Sequence, residues 1–194
     1  MHFTWKGRWA LLAALFISAA WGQERLQLCA ACHGPDGNST NPLIPSIAGQ
    51  PKLFLETQLV LFREELRKSE QMAPVVKGLK DPEIVKLAEH FSKLPAKVME
   101  SGAPDPKSMK LGAEKARALR CNVCHVSDFS GQNQIPRLAG QREAYLEAEM
   151  RAYRDGKRTG GDTIMAAALY GVSDADIKAL AHYLSRSSAR SPAR

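Results

Sequence analysis

The pentapeptide Cys29-Ala30-Ala31-Cys32-His33 returns as Cys121-Asn122-Val123-Cys124-His125, and the two copies use all four cysteines of the 194-residue chain. Two thiols at this spacing followed at once by an imidazole form the attachment pattern of a c-type haem. The thiols add to the porphyrin vinyl groups and the His supplies an axial ligand to iron. A thioredoxin-like redox pair does not require the His, a zinc knuckle does not need it twice, and a disulfide framework asks only for an even count. The doubled motif therefore predicts two covalently bound haem c groups and a fold built to bury them.

The repetition extends well beyond the motif. At offsets of 91 to 93 residues, Pro45-Ser46-Ile47-Ala48-Gly49-Gln50 matches Pro136-Arg137-Leu138-Ala139-Gly140-Gln141, Phe54-Leu55 matches Tyr145-Leu146, Phe62-Arg63 matches Tyr153-Arg154, and Arg67 matches Arg158. The order continues through Met72-Ala73 and Met165-Ala166, Gly78 and Gly171, Asp81 and Asp174, and Leu87-Ala88 and Leu180-Ala181. The chain thus reads as two homologous modules, residues 23–94 and 111–186. The linker between them, 95–110, holds Pro95, Gly102, Pro104 and Pro106 and is expected to be extended. Modules of this size have a marginal core of their own, so a large buried cofactor supplies much of the apolar interior.

Within each module the apolar spacing is helical. Leu55, Leu59, Phe62 and Leu66 fall on one face of a helix starting near Pro51, and Leu146, Met150 and Tyr153 repeat that face. Ile84, Leu87, Ala88 and Phe91 mark a terminal helix at Asp81-Pro82, mirrored by Ile177, Leu180, Ala181 and Leu184 after Ser173-Asp174. Short helices carry the haem motifs, over 25–32 and, better formed, over 110–124. No alternating run suggests a sheet, so the fold class is all-α.

Residues 1–22 have the form of a signal peptide, with a basic start at His2, Lys6 and Arg8, an apolar run from Trp9 to Ala20, and a small-x-small site at Ala20-Trp21-Gly22. The apolar run is too short to span a bilayer, so cleavage before Gln23 and a periplasmic address are expected. Residues 187–194, rich in Ser, Arg and Pro, read as a flexible tail. The formal charge of +7 is concentrated in the second half: residues 23–94 balance nine basic against nine acidic groups, whereas 111–194 hold thirteen against nine. A basic half suits an acidic redox partner or peripheral attraction to an anionic membrane. Without a basic stripe interleaved with aromatics, it does not suit nucleic acid.

A low-spin electron carrier needs a second axial ligand opposite His33 and His125, and a Met thioether or a further His is the usual choice. Met72 lies 39 residues after His33 and Met165 lies 40 after His125, in matched surroundings, so the repeat selects them. Met150 competes in the second module but aligns with Leu59 on an apolar face, which marks it as packing. Met99 and Met109 sit in or beside the linker as bystanders. His90 aligns with Tyr183 and His182 with Glu89, so neither position is shared, and both are expected as partly exposed helix residues. Pro45 and Pro136 follow the motif His by 12 and 11 residues. A carbonyl at that point would accept the ring Nδ1 hydrogen and fix the imidazole.

With the doubled motif, the Pro-x-x-Ala-Gly-Gln segment, the aromatic-Arg helix end and the late Met, residues 26–185 resemble the two-haem cytochrome c4 family of class I cytochromes c. The resemblance implies two tandem class I cytochrome c domains in a pseudo-twofold arrangement, with haem propionate edges facing across the interface. It implies periplasmic electron transfer with redox partners such as a terminal oxidase, a dehydrogenase or another cytochrome. Carried over, it places one haem on Cys29, Cys32, His33 and Met72 and the other on Cys121, Cys124, His125 and Met165. The chain departs from the family pattern in three places. Val126 and Ser127 stand where Gly34 and Pro35 follow the first His, Glu65 stands where the second module keeps Gly156, and Pro74 has no counterpart after Met165.

An enzyme such as a two-haem peroxidase or a thiosulfate dehydrogenase would need an open or unusual axial site, in the latter often a Cys ligand, and no Cys is left over. The chain is therefore expected to be an electron carrier rather than an enzyme. The alternative is a dihaem electron-transfer subunit of a sulfide- or thiosulfate-oxidising enzyme complex, since one fold serves both roles.

Overall fold

The computed structural model describes residues 23–160 and 163–188; the expected signal peptide and most of the expected tail lie outside them. The first helix, α1, covers 23–33. It is followed by α2 (Lys52–Arg63), α3 (Met72–Val76), α4 (Asp81–Lys93), α5 (Pro106–Ala118), α6 (Cys121–Cys124), α7 (Glu143–Arg154), α8 (Thr163–Leu169) and α9 (Asp174–Arg186). No strand forms among the described residues, and a single isolated bridge pairs Gln132 with Ile135. The all-α expectation holds, and α2, α3 and α4 recur as α7, α8 and α9.

Each module closes its own core. In the first, Leu55, Val76, Leu79, Ile84, Leu87, Ala88 and Phe91 are buried together, with Cys29, Leu59 and Met72 packed against them. In the second, Leu146, Met150, Leu169, Ile177, Leu180, Ala181 and Leu184 form the equivalent cluster, flanked by Cys121 and Met165. Met150 is 9% exposed, in keeping with its reading as a packing residue. One lock appears twice. Arg63 Nη1 donates to the Leu79 carbonyl (3.0 Å) and to Asp81 (2.7 Å). Arg154 Nη1 does the same to Val172 (3.0 Å) and Asp174 (2.6 Å). Each arginine thus ties the end of one core helix to the start of the next.

Helix α5 crosses α9 closely, and Gly112 makes this possible. A Cβ on Gly112 would lie 2.2 Å from the Ala179 carbonyl oxygen and 2.5 Å from Tyr183 Cβ. Only a residue without a side chain lets the two backbones approach so near.

Three local expectations need correction. The face ending at Leu66 stops early: α2 ends at Arg63, Glu65 turns left-handed (φ 56°), and Leu66 is 58% exposed. That turn directs Arg67 inward, where it is 9% exposed. The second haem helix, expected to run through 110–124, is broken at Arg120 (φ 56°), so α6 is a separate turn that aims its cysteines independently of α5. The linker is helical over its last five residues, because Asp105 caps α5 by accepting the Ser108 N–H at 2.7 Å and Pro106 occupies the first turn.

The rest of the linker is extended but anchored at both ends. Asn38 donates to the Pro95 carbonyl (3.1 Å) and accepts from the Lys97 N–H (2.9 Å), while Lys97 pairs with Asp36 at 2.6 Å. At the other end Glu100 accepts the Glu143 N–H at 3.0 Å and lies 3.5 Å from Arg142. His182 is a partly exposed residue of α9, as expected, and it also fastens the end of the linker. Its Nε2 accepts the Asp105 N–H (3.0 Å), and its Nδ1 donates to Glu143 (3.2 Å).

Between the modules runs a polar seam with approximate twofold symmetry. Gln50 Nε2 donates to the Arg137 carbonyl (3.0 Å) and its Oε1 accepts the Arg137 N–H (2.9 Å). Gln141, the matching residue, does the same to Ser46, donating to its carbonyl (2.9 Å) and accepting its N–H (2.7 Å). A second cluster lies further along the seam. Gln58 Oε1 accepts from Arg67 (2.6 Å) and Arg158 (3.2 Å), and Glu149 accepts from the same two arginines, the Arg67 contact at 3.3 Å. Each guanidinium also lies over an aromatic ring of its own module, Arg67 over Phe62 at 4.4 Å and Arg158 over Tyr153 at 4.8 Å.

A candidate pair of haem-binding centres

Each motif His sits at the C-terminal end of its short helix, buried, with its ring held from behind. His33 is 8% exposed and its Nδ1 lies 2.8 Å from the Pro45 carbonyl oxygen. His125 is 4% exposed and its Nδ1 lies 2.8 Å from the Pro136 carbonyl oxygen. A carbonyl can only accept, so Nδ1 carries the hydrogen and the Nε2 lone pair faces away from the loop. Burial, partly offset by the proline bond, pushes both imidazoles below their ordinary pKa and keeps them neutral. A neutral imidazole with one nitrogen fixed and the other bearing a lone pair is the form that ligates a metal.

The proline carbonyls are placed by loops with the same backbone hydrogen bonds. Ile47 and Ala48 donate to Gly37 at 2.8 and 2.9 Å, and Leu138 and Ala139 donate to Phe129 at 2.9 and 3.1 Å. Gly49 then bonds Phe91 at 2.9 Å, and Gly140 bonds Leu184 at 3.0 Å, fastening each loop to the terminal helix. The sequence departure after His125 does not alter this path. Gly34 (φ 86°) and Val126 (φ 58°) are both left-handed, as are Gly37 (φ 74°) and Phe129 (φ 58°). The second module therefore adopts with side-chain-bearing residues a turn the first makes with glycine.

No two of the four cysteines are joined to each other, and Cys29 and Cys121 are half-buried against the cores while Cys32 and Cys124 are exposed. Burial pushes the Cys29 and Cys121 thiols up from their ordinary pKa. Met72 opens α3, its N–H donating to Ser69 Oγ at 3.2 Å, and Met165 lies in α8; both are half-buried against their module's core. His90 is exposed, with its ring edge-on to Phe91 at 5.0 Å, and His182 is engaged with Asp105 and Glu143. Among the described residues no group of three or more His, Cys, Asp or Glu is arranged to hold a metal ion unaided. The donor set suits a group that brings most of its own ligands, as a porphyrin does: one fixed imidazole, two thiols and one thioether in each module.

Sequence reading anticipated the bonds of both histidines to the proline carbonyls, but not the use made of the seam. The repeated Ala-Gly-Gln was the available signal. That each Gln grips the other module's loop, immediately after the proline that steadies the His, shows only in three dimensions.

Comparison with known proteins agrees with this geometry. The cytochrome c family profile matches twice, over residues 19–94 and 109–188. The chain is 31% identical over 186 residues to cytochrome c4 of Azotobacter vinelandii, covering 86% of this chain and 87% of that protein. It is 34% identical over 196 residues to a thiosulfate dehydrogenase electron acceptor of Thiomonas intermedia, covering 90% of this chain and 87% of that protein. The crystal structure of reduced recombinant cytochrome c4 from Pseudomonas stutzeri superposes with a TM-score of 0.78 at 31% identity, covering 88% of this chain and 98% of that one. Two fixed imidazoles, each beside a thiol pair in a duplicated helical fold, and the double profile match lead to one conclusion: the chain belongs to the cytochrome c family, as a cytochrome c4-like electron-transfer protein with two covalently bound haem c groups.

Proposed function

We propose that the chain is an exported shuttle that carries electrons between redox proteins, with each module (23–94 and 111–186) holding one haem closed by imidazole on one side and thioether on the other. Cys29 and Cys32 form the thioether links of the first, with His33 and Met72 as axial ligands. Cys121 and Cys124 link the second, with His125 and Met165 as axial ligands. The single observation that supports this best is the pair of 2.8 Å bonds from His33 and His125 to Pro45 and Pro136, which orient both rings the same way. When bound, haem supplies a one-electron ferric/ferrous couple. The chain's own task is to keep the surroundings still. The proline carbonyls fix the imidazoles, the apolar clusters exclude water, and the seam holds the two modules against each other, so little reorganisation accompanies a change of charge.

The partners proposed are a terminal oxidase, a dehydrogenase or another cytochrome, and the surplus of basic residues in the second module suits an acidic docking face. The proposed address is the periplasm, with residues 1–22 removed on export; no helix among the described residues is long and apolar enough to cross a membrane. A second reading, an acceptor dedicated to a thiosulfate-oxidising enzyme, is supported by the name of the Thiomonas relative.

The test is spectroscopic. The oxidised protein should show the thioether-to-ferric-iron charge-transfer band, and the reduced protein should refuse carbon monoxide. Met72→Ala and Met165→Ala should each admit carbon monoxide at one haem only. Ready binding of carbon monoxide by the unaltered protein at neutral pH would overturn the closed-site reading. Stable co-purification with a thiosulfate dehydrogenase would favour the dedicated acceptor over the free shuttle.

A further inference from the structure

We propose that His182 is a proton-operated clasp on the linker, closed onto the second module while its imidazole is neutral and opened when the ring takes up a proton. The ring is bonded at both nitrogens. Nε2 accepts the Asp105 N–H at 3.0 Å, and Nδ1 donates to the Glu143 carboxylate at 3.2 Å. A backbone N–H can only donate, so Nε2 carries a lone pair and the hydrogen of the neutral ring is on Nδ1. The linker bond therefore exists in the neutral imidazole alone. A protonated ring carries a hydrogen on Nε2 as well, and that hydrogen would meet the Asp105 N–H donor to donor.

The groups around the ring decide whether it can receive that proton. From α7 comes Glu143, which is shared with Arg186 one turn further along α9. The Glu143 N–H is held by Glu100 of the linker, which also lies 3.5 Å from Arg142. From the start of α5 comes Asp105, whose carboxylate accepts the Ser108 N–H at 2.7 Å and has no cationic partner among the described residues. On α9 itself, Lys178 precedes the ring by one turn and is exposed. Burial would raise the Glu143 carboxyl, but its bonds from Arg186 and His182 outweigh that and lower it, and the bonds from Ser108 lower Asp105. Both are therefore anions in the range where an imidazole ordinarily changes charge. The His182 side chain is 12% exposed, so these two carboxylates rather than bulk water set its surroundings. Proton uptake exchanges a directional bond that fixes the linker for an attraction that does not fix it.

The other end of the linker has no such device. There Asn38 donates to the Pro95 carbonyl and accepts the Lys97 N–H, Lys97 pairs with Asp36, and no imidazole is among these groups. The first module has no counterpart of His182 either, since the position aligns with Glu89, which pairs with Lys93 of its own helix. Acid thus frees the linker from the second module and leaves it fastened to the first. The linker is the covalent tie between the modules, and no proposed haem ligand belongs to the cluster. Opening the clasp adds freedom at the joint without touching either proposed iron site.

Nitrogen-15 magnetic resonance of the reduced holoprotein, from about pH 8 to about pH 5, tests the clasp. Ring nitrogen shifts report the charge of His182, and amide exchange, corrected for its intrinsic pH dependence, reports each N–H. The Asp105 protection factor should fall about fivefold, the contribution of one hydrogen bond, with the same midpoint as the His182 ring, while that of Lys97 stays level. His182→Gln presents an oxygen to Asp105 but no titrating group, so it should abolish the pH dependence. Protection at Asp105 that stays level while the ring titrates, a ring that remains neutral to the acid limit, or an equal fall at Lys97 overturns the proposal. A fall that persists in His182→Gln overturns it too. Should that variant not assemble, the parent alone decides, because Asp105 and Lys97 are read in the same spectra.

Discussion

Replacing Glu149 by Gln tests how far the seam depends on one negative charge. Glu149 is the only carboxylate among the described residues that pairs with Arg67 and Arg158, whose side chains are each 10% exposed. The matching residue of the other module is Gln58, which already accepts one N–H from each arginine. Glu149→Gln keeps an acceptor oxygen but leaves two buried cations with no anion. Breaking a buried pair costs about 3–5 kcal/mol. The Glu149 side chain is 24% exposed, so water replaces part of the lost interaction, and a cost of about 2–3 kcal/mol is expected. For a protein of this length that corresponds to a fall in Tm of roughly 5–10 °C. Urea unfolding of the holoprotein, followed by far-ultraviolet circular dichroism, measures it. The sharper test is the exchange Glu149→Gln with Gln58→Glu. Because Gln58 bonds both arginines, moving the carboxylate across the pseudo-twofold axis should restore most of the loss. A loss under about 0.5 kcal/mol, within the range of ordinary surface substitutions, or a double variant no better than the single one, would refute the reasoning.

Further outcomes follow from single positions. Gly112→Ala places a Cβ 2.2 Å from a backbone oxygen, so α5 must move off α9, and a loss of about 3 kcal/mol or more in urea unfolding is expected. Val126→Gly relieves a β-branched residue held left-handed at φ 58° and should raise stability by about 0.5–1 kcal/mol, its benefit reduced by the added freedom of the unfolded chain. Hydrogen bonds from Arg151 and Arg154 hold the Asp174 carboxyl down at about 2, and the Lys97 bond lowers Asp36. Burial would raise Glu143, but its bonds from Arg186 and His182 outweigh that and lower it. These folded-state values lie below the unfolded ones, so the stabilisation is present above the ordinary carboxylate range and is lost as the pH falls from about 5 toward 2. Asp174→Asn should flatten that part of a stability-against-pH curve.

Much of the fold could be read from the chain because duplication supplies its own control. Where Phe62-Arg63 and Tyr153-Arg154 recur before Asp81 and Asp174, the sequence already contains the Arg lock, although its carbonyl target does not show. The paired positions of His33 and His125 and of Met72 and Met165 were legible for the same reason. Helix ends were not. Leu66 has ideal apolar spacing, yet the chain leaves the helix at Arg63 and turns at Glu65, because bringing Arg67 to Glu149 across the seam and to Gln58 of its own module outweighs continuing the helix. The break at Arg120 was equally hidden, since a left-handed residue other than Gly, Asn or Asp carries no local signal. The Gln50 and Gln141 grips and the reach of Arg137 to the Ala48 carbonyl are tertiary facts. A string of letters shows that Ala-Gly-Gln occurs twice, not that each copy closes on the other.

The two glutamine grips touch only main-chain atoms of the opposite loop. A side chain that reads nothing but peptide groups places no demand on what its target residue is. Position 46 holds serine and position 137 arginine, and both glutamine bonds form alike, with Arg137 adding a bond of its own to the Ala48 carbonyl. Side chains at these two positions can therefore differ while both glutamine bonds persist, and the two copies diverge in sequence while staying clasped.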